Sequence, residues 1–96
     1  MAKLDYDAAL AQLRTGSSNL RCNEVREILS ALGFKVRDGK KGGHKTYSHP
    51  LIPSFTGGNY NCGHGKNPQV GRAYIVNIID VLERYSDEIK TNLSKH

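Results

Sequence analysis

The chain has 96 residues, enough for one domain with a single modest core. Its hydrophobic fraction of 38% and charged fraction of 24% are ordinary for a globular protein and exclude a disordered chain. No apolar run reaches the roughly 20 residues of a membrane helix, and no signal-peptide core precedes a cleavage site, so we expect a cytoplasmic protein.

The first two predicted elements are helices, because apolar residues recur at i, i+3, i+4 and i+7. Two groups have this spacing: Tyr6, Ala9, Leu10 and Leu13 in the first helix, and Val25, Ile28, Leu29 and Leu32 in the second. Asn23 is the predicted N-cap of the second helix, and Gly33 is its predicted left-handed C′ residue.

After Gly33 the apolar period changes from helical spacing to two, which is typical of strands. The segment FKVRDG directs Phe34 and Val36 to one face and predicts a first strand. The segment HKTYSHP predicts the returning strand, and FTGGNYNC predicts a third strand. Short glycine-containing turns between these segments favour an antiparallel sheet.

The last predicted element is a helix after Gly71, followed by a charged tail from Ser86 that we expect to fray. Its apolar residues again have helical spacing and form a wide stripe: Ile75, Val76, Ile78, Ile79, Val81 and Leu82. The predicted fold class is α+β. The order is helix, helix, three strands and helix, with the helices on one face of a three-stranded antiparallel sheet in a single domain, residues 1–96.

The net charge of +5 is concentrated in the middle of the sequence. The segment from Lys35 to Arg72 contains seven basic residues and one acid, whereas the remainder contains seven basic and eight acidic residues. A localised basic face is typical of proteins that bind polyanions, nucleic acid above all. A lysine-rich surface without a ligand is the alternative interpretation.

The two cysteines, Cys22 and Cys62, are separated by forty residues and do not resemble a disulfide framework. We expect two buried or half-buried thiols. Structural zinc sites usually contain two pairs of closely spaced ligands, and here Cys62 and His64 form one C-x-H pair without a match. The sequence therefore predicts neither a metal nor another cofactor.

The segment KKGGHKTYSHP places His44 in a flexible, positively charged turn. Histidine has a reference pKa of about 6.5 and can act as acid or base near neutrality. The residues alone leave open whether His44 is catalytic, idle at the start of a strand, or a surface ring that binds phosphate. His49 is interpreted as structural or incidental. His64 is interpreted as a second proton-transfer group, a phosphate contact or an ordinary loop histidine.

This order of elements resembles the HicA toxins, over about residues 19 to 85. The resemblance implies an αβββα core with an extra N-terminal helix, in which residues 1–18 would be a helical N-terminal extension. The resemblance is carried by a helix ending in ALGF, a basic strand, and a turn running into Gly42-Gly43-His44 with an aromatic residue, Tyr47, three residues later. HicA toxins are messenger-RNA endonucleases with a double-stranded-RNA-binding-like fold, and the family's functional histidine falls on His44. The family has serine at the position of Gly43, so this chain lacks that hydroxyl.

The resemblance implies a metal-independent ribonuclease whose substrate is mRNA and whose partner is a HicB-like antitoxin protein. His44 would be the catalytic residue. The proposed RNA contacts are phosphate-binding lysines, glycines that permit close approach of the RNA backbone, and a tyrosine that stacks on a base: Lys40, Lys41, Gly42, Gly43, Lys45, Tyr47 and Lys66. A non-catalytic RNA-binding module and an interaction protein with a basic docking face remain as alternatives.

Overall fold

The computed structural model describes residues 5–16, 19–39, 43–63, 66 and 68–94. Within these residues the chain forms four helices and one three-stranded sheet, so the α+β prediction is confirmed. The elements are α1 (Tyr6–Thr15), α2 (Cys22–Ala31), β1 (Lys35–Asp38), β2 (His44–Ser48), β3 (Gly58–Asn61), α3 (Arg72–Arg84) and α4 (Ser86–Ser94). No helix in this described part is long and apolar enough to cross a membrane.

The three strands form an antiparallel meander in the order β1-β2-β3. The pairing puts Val36 opposite Tyr47 and puts Lys45 opposite Tyr60. Because side chains alternate along a strand, these residues share the face that the helices cover. The opposite face, which we call the open face, carries seven polar residues: Lys35, Arg37, His44, Thr46, Ser48, Asn59 and Asn61.

The core lies between the helices and the covered face of the sheet. The predicted apolar sets of α1 and α2 are buried throughout, and so are Ile75, Ile78 and Leu82 of α3. Burial of each such aliphatic side chain contributes about 1.5–3 kcal/mol. Val76 is 51% exposed and does not widen the buried stripe of α3, contrary to the prediction.

The N-terminus of α2 differs from the prediction. The helix begins at Cys22 with Arg21 as its N-cap, and the carboxylate of Glu24 accepts a hydrogen bond of 2.9 Å from the Arg21 backbone N–H. Asn23 therefore lies inside the helix rather than at its cap. The other end of α2 is as predicted, because Gly33 has a φ of 93°.

Residues Ser86–Ser94 form a helix, α4, in the segment that the sequence analysis expected to fray. The side chain of Ile89 in α4 is fully buried, and Leu93, one turn later, packs against the core. Asp87 and Glu88 lie in the first turn, where negative charge stabilises the helix dipole. One apolar contact point per turn anchors this otherwise polar helix.

His49 has a structural role, as predicted. Its ring is 5% exposed and packs edge-on against Phe34, with the ring centroids 4.8 Å apart. Nε2 donates to the carbonyl oxygen of Leu32 at 3.2 Å, and Nδ1 accepts from the Leu51 backbone N–H at 3.2 Å. Both ring nitrogens are satisfied in the neutral form. Burial lowers the pKa of His49, although the Leu32 hydrogen bond opposes this shift.

The lowered pKa of His49 predicts an acid-sensitive fold. The unfolded chain takes up this proton below about pH 6.5, whereas the folded chain resists protonation. The free energy of unfolding should therefore fall as the pH drops from about 6.5 towards the lowered folded pKa. Urea unfolding across this range checks the slope. In His49→Gln the slope should be shallower, and an identical slope in both proteins would assign the acid sensitivity to other groups.

Cys22 and Cys62 form a disulfide, with Cα atoms 5.7 Å apart, so the expectation of two free thiols is wrong. The bond joins the first residue of α2 to the residue that follows β3. Two isolated bridges flank it, pairing Arg21 with Gln69 and Cys62 with Val70. The sequence does not predict this contact, because a separation of 40 residues does not show that the fold brings the start of α2 beside the end of β3.

Candidate functional site

The candidate site is centred on His44, the first residue of β2. Its side chain is half-buried on the open face, and its carbonyl oxygen accepts a 2.7 Å hydrogen bond from the Gly39 backbone N–H. A Cβ atom at position 39 would lie only 2.6 Å from Cδ2 of the His44 ring. The ring therefore rests over Gly39, which provides the space for it at the end of β1.

His44 belongs to a chain of side-chain hydrogen bonds that spans two strands and a helix. Its Nδ1 lies 2.9 Å from Oδ1 of Asn61, its cross-strand partner. Nδ2 of Asn61 donates to the hydroxyl oxygen of Tyr74, in the first turn of α3, at 2.9 Å. Because Oδ1 can only accept, Nδ1 of the neutral ring carries the proton. The lone pair of Nε2 is then available to accept a proton from a bound molecule.

Sequence reasoning did not identify Asn61 or Tyr74. Asn61 is placed beside His44 by the register of β2 on β3, and the glycines before β3 left that register undetermined in the sequence. Tyr74 is reached only through the packing of α3 against β3. A polar residue at alternate positions of a strand, as in Asn59 and Asn61, was the one available signal for this part of the site.

Several predicted site residues lie outside the described part of the chain. These are Lys40, Lys41 and Gly42, which precede His44 in the sequence, and also His64. Lys66 is described and exposed, between β3 and α3. Their predicted roles therefore stay predictions.

The structure gives Lys45 a different role from the predicted phosphate contact. Its side chain is 15% exposed, and its ammonium donates to Asp38 at 2.7 Å, while Arg26 donates to the same carboxylate oxygen at 2.8 Å. The hydrogen bond and positive charge of Lys45 hold the pKa of Asp38 below its usual value, and the Arg26 charge adds to this effect. Lys45 thus neutralises an acid on the covered face, and its charge does not point to the open face.

The structure also shows contacts of Gly43 and Tyr47 within the protein that the sequence analysis did not predict. A Cβ atom at position 43 would lie 1.9 Å from the carbonyl oxygen of Cys62, whose backbone N–H donates to the Gly43 carbonyl at 2.7 Å. The glycine thus permits the close approach of two segments of the protein backbone, and its predicted contact with RNA stays a prediction. Tyr47 is 3% exposed, and burial raises its pKa to about 12. Its ring packs in the core and has no free face on which a base can stack.

The contact between the Asn61 amide and His44 leads to a prediction about added charge at position 61. Replacing Asn61 with aspartate puts a carboxylate beside the His44 ring and stabilises its protonated form. For the RNA cleavage predicted from the sequence, the acidic limb of the pH profile for kcat should move to higher pH by about one unit. Asn59→Asp adds the same charge to the same strand and face, two residues away, and should shift the profile less. Equal shifts in the two variants would contradict a specific contact between Asn61 and His44.

Among the described residues, no three His, Cys, Asp or Glu side chains are grouped so that they could hold a metal ion. The site therefore consists of one imidazole, the amide and hydroxyl that orient it, and the polar open face beside it. Comparison with known proteins finds no matching family model, no matching curated protein and no matching solved structure.

Proposed function

We propose that this protein is an endoribonuclease in which His44 acts as the general acid/base. The observation that carries the proposal is the state of the imidazole: it is half-exposed on a polar face, with Nδ1 fixed by Asn61 and Nε2 unengaged by that contact. A ring that only supports the fold looks different in the same chain, since both nitrogens of His49 are bonded within the protein.

RNA supplies its own nucleophile, so a single well-placed base can begin the reaction. Nε2 of His44 removes the proton of a ribose 2′-hydroxyl, and the oxygen attacks the adjacent phosphorus. The bond from phosphorus to the 5′-oxygen breaks, and that oxygen takes a proton from water. The protonated His44 ring then gives its proton to the resulting hydroxide, which restores the neutral imidazole. The products are a 2′,3′-cyclic phosphate and a 5′-hydroxyl. The Asn61 oxygen accepts from Nδ1 throughout and so stabilises the protonated ring as it forms.

The biological setting of the proposal is the toxin of a toxin–antitoxin pair that cleaves mRNA in the cytoplasm. Support for this part comes from the order of elements around Gly42-Gly43-His44, which resembles the HicA toxins. A HicB-like antitoxin would inhibit most simply by covering His44 and the open face. The Cys22–Cys62 disulfide bears on the cytoplasmic setting, because disulfides rarely persist in reducing compartments. Cytoplasmic action requires that the reduced chain keeps His44 in place.

The reaction is tested with the purified chain and a defined single-stranded RNA, with and without a chelator. We expect cleavage that does not depend on the chelator, with cyclic phosphate ends on the products. An otherwise identical RNA with a 2′-deoxyribose at the cleaved position should resist cleavage there, because it lacks the nucleophile. Equal cleavage of both substrates would contradict the mechanism. Salt-sensitive RNA binding without cleavage would instead favour the non-catalytic RNA-binding module.

A further inference from the structure

A shallow depression of about 320 Å³ lies on the open face of the sheet. The side chains that give it a polar lining come from all three strands and from the segment before β3: Lys35, Arg37, Thr46, Ser48, Thr56 and Asn59. We call this feature the sheet basin. None of its described lining residues is acidic. The nearest acid in β1, Asp38, faces the other side of the sheet and is bonded to Lys45.

The composition of the sheet basin suits a phosphate group. Strand pairing aligns Arg37, Thr46 and Asn59 in one row across the sheet, and Lys35 pairs with Ser48 in the neighbouring region. A guanidinium, an ammonium, hydroxyls and an amide offer many hydrogen-bond donors in a small area. Arg donors bind phosphate oxygens in a bidentate geometry, and hydroxyl and amide groups complete such sites.

The sheet basin continues into the candidate catalytic site along the same face. Thr46 is two residues from His44 on β2, and Asn59 is two residues from Asn61 on β3. Two residues of a strand span about 7 Å, so both pairs of side chains lie within reach of one extended nucleic-acid strand. No charged acidic side chain intervenes on this face in the described strands.

Among the described strand residues, the open face carries no Phe, Tyr or Trp side chain. Tyr47 and Tyr60 belong to the covered face and are buried, Tyr47 against Gly58 and Tyr60 within the core. Base stacking on a Phe, Tyr or Trp ring of these strands is therefore not available, and we expect contact mainly through phosphates and sugars. Such contacts position a strand and carry little sequence information.

We infer that the sheet basin binds a backbone phosphate of single-stranded RNA next to the phosphate that is cleaved at His44. This inference rests on the proposed function for the identity of the cleaved phosphate, but the binding itself does not require catalysis. It makes substrate recognition backbone-directed and tolerant of sequence at this position. It also assigns Lys35 and Arg37, rather than Lys45, as cations of the open face that contact RNA.

The test compares two double variants with equal loss of charge. Lys35→Gln/Arg37→Gln removes both cations of the sheet basin, and Arg84→Gln/Lys90→Gln removes two from α3 and α4. The probe is a short 2′-O-methyl RNA, which binds without cleavage. The basin variant should raise Kd by about tenfold and lower the salt slope by about 1, and the helix variant should change both much less. Thr46→Val, which keeps the shape and removes the hydroxyl, should weaken binding less strongly.

The outcomes separate this inference from the proposed function. If both double variants weaken binding equally, the effect is one of overall charge and the sheet basin is not a site. If the native chain binds through the basin but cleaves no RNA, the nuclease proposal fails and the binding site stands. If cleavage depends on His44 while the basin variant keeps its KM, the basin inference falls and the nuclease stands. Binding of an acidic peptide in place of RNA would overturn the inference.

Discussion

Replacing His44 with alanine is expected to lower the rate of RNA cleavage by a factor of about 10² to 10⁴, the usual contribution of a positioned general acid or base. The effect should fall on kcat more than on KM, because the sheet basin and its cations are untouched. The measurement is the rate of cleavage of a defined RNA under saturating conditions. Undiminished cleavage in pure His44→Ala would end the proposed mechanism.

The fold should tolerate this substitution. The His44 side chain is only half-buried, and removal of its ring exposes Gly39 rather than opening a cavity in the core. His49→Gln is the matched control, because it removes the other histidine of the same segment. The free energy of unfolding of this control should depend less on pH than that of the native chain. Its cleavage of RNA should be nearly unchanged well below the melting temperature. Equal loss of cleavage in both variants would indicate an effect of the fold and not of catalysis.

Local patterns in the sequence predicted the elements of this fold well. The helical spacing of apolar residues identified α1, α2 and α3, and alternation around Val36 and Tyr47 identified the sheet. These signals depend on contacts between each residue and the core, which repeat along one element. The sequence pattern did not predict α4, because Ile89 and Leu93 are its only apolar residues.

The details of the site depend on contacts between elements, and local patterns do not encode them. The partner of His44 follows from the register of β2 on β3, and the ion pair of Lys45 follows from the register of β1 on β2. A shift of either register by one residue would exchange the open and covered faces. The basic charge of the middle segment was visible in the sequence, but its division between the two faces was not.

The same limit applies to the disulfide, and its removal is the second change for which we expect a large effect. Cys22 and Cys62 are separated by 40 residues, so the bond closes a loop that contains the whole sheet. In the chain-entropy model a loop of this length stabilises the fold by about 4 kcal/mol. Small domains have only about 5–15 kcal/mol of total stability, so reduction should shift urea unfolding to much lower concentration.

Reduction of the disulfide should also loosen the arrangement of His44 and Asn61, because Cys62 contacts the backbone beside both residues. Asn61 precedes Cys62 directly, and the Cys62 backbone N–H bonds to the carbonyl of Gly43, next to His44. We expect cleavage by the reduced native chain to fall through local loosening, but by less than in His44→Ala. Cys22→Ala/Cys62→Ala should match the reduced chain and be insensitive to reductant.

If unfolding curves of the native chain coincide with and without reductant, the bond does not stabilise the fold. If reduced and oxidised chains cleave equally well, the arrangement of His44 and Asn61 is held by the sheet alone, and cytoplasmic action needs no disulfide.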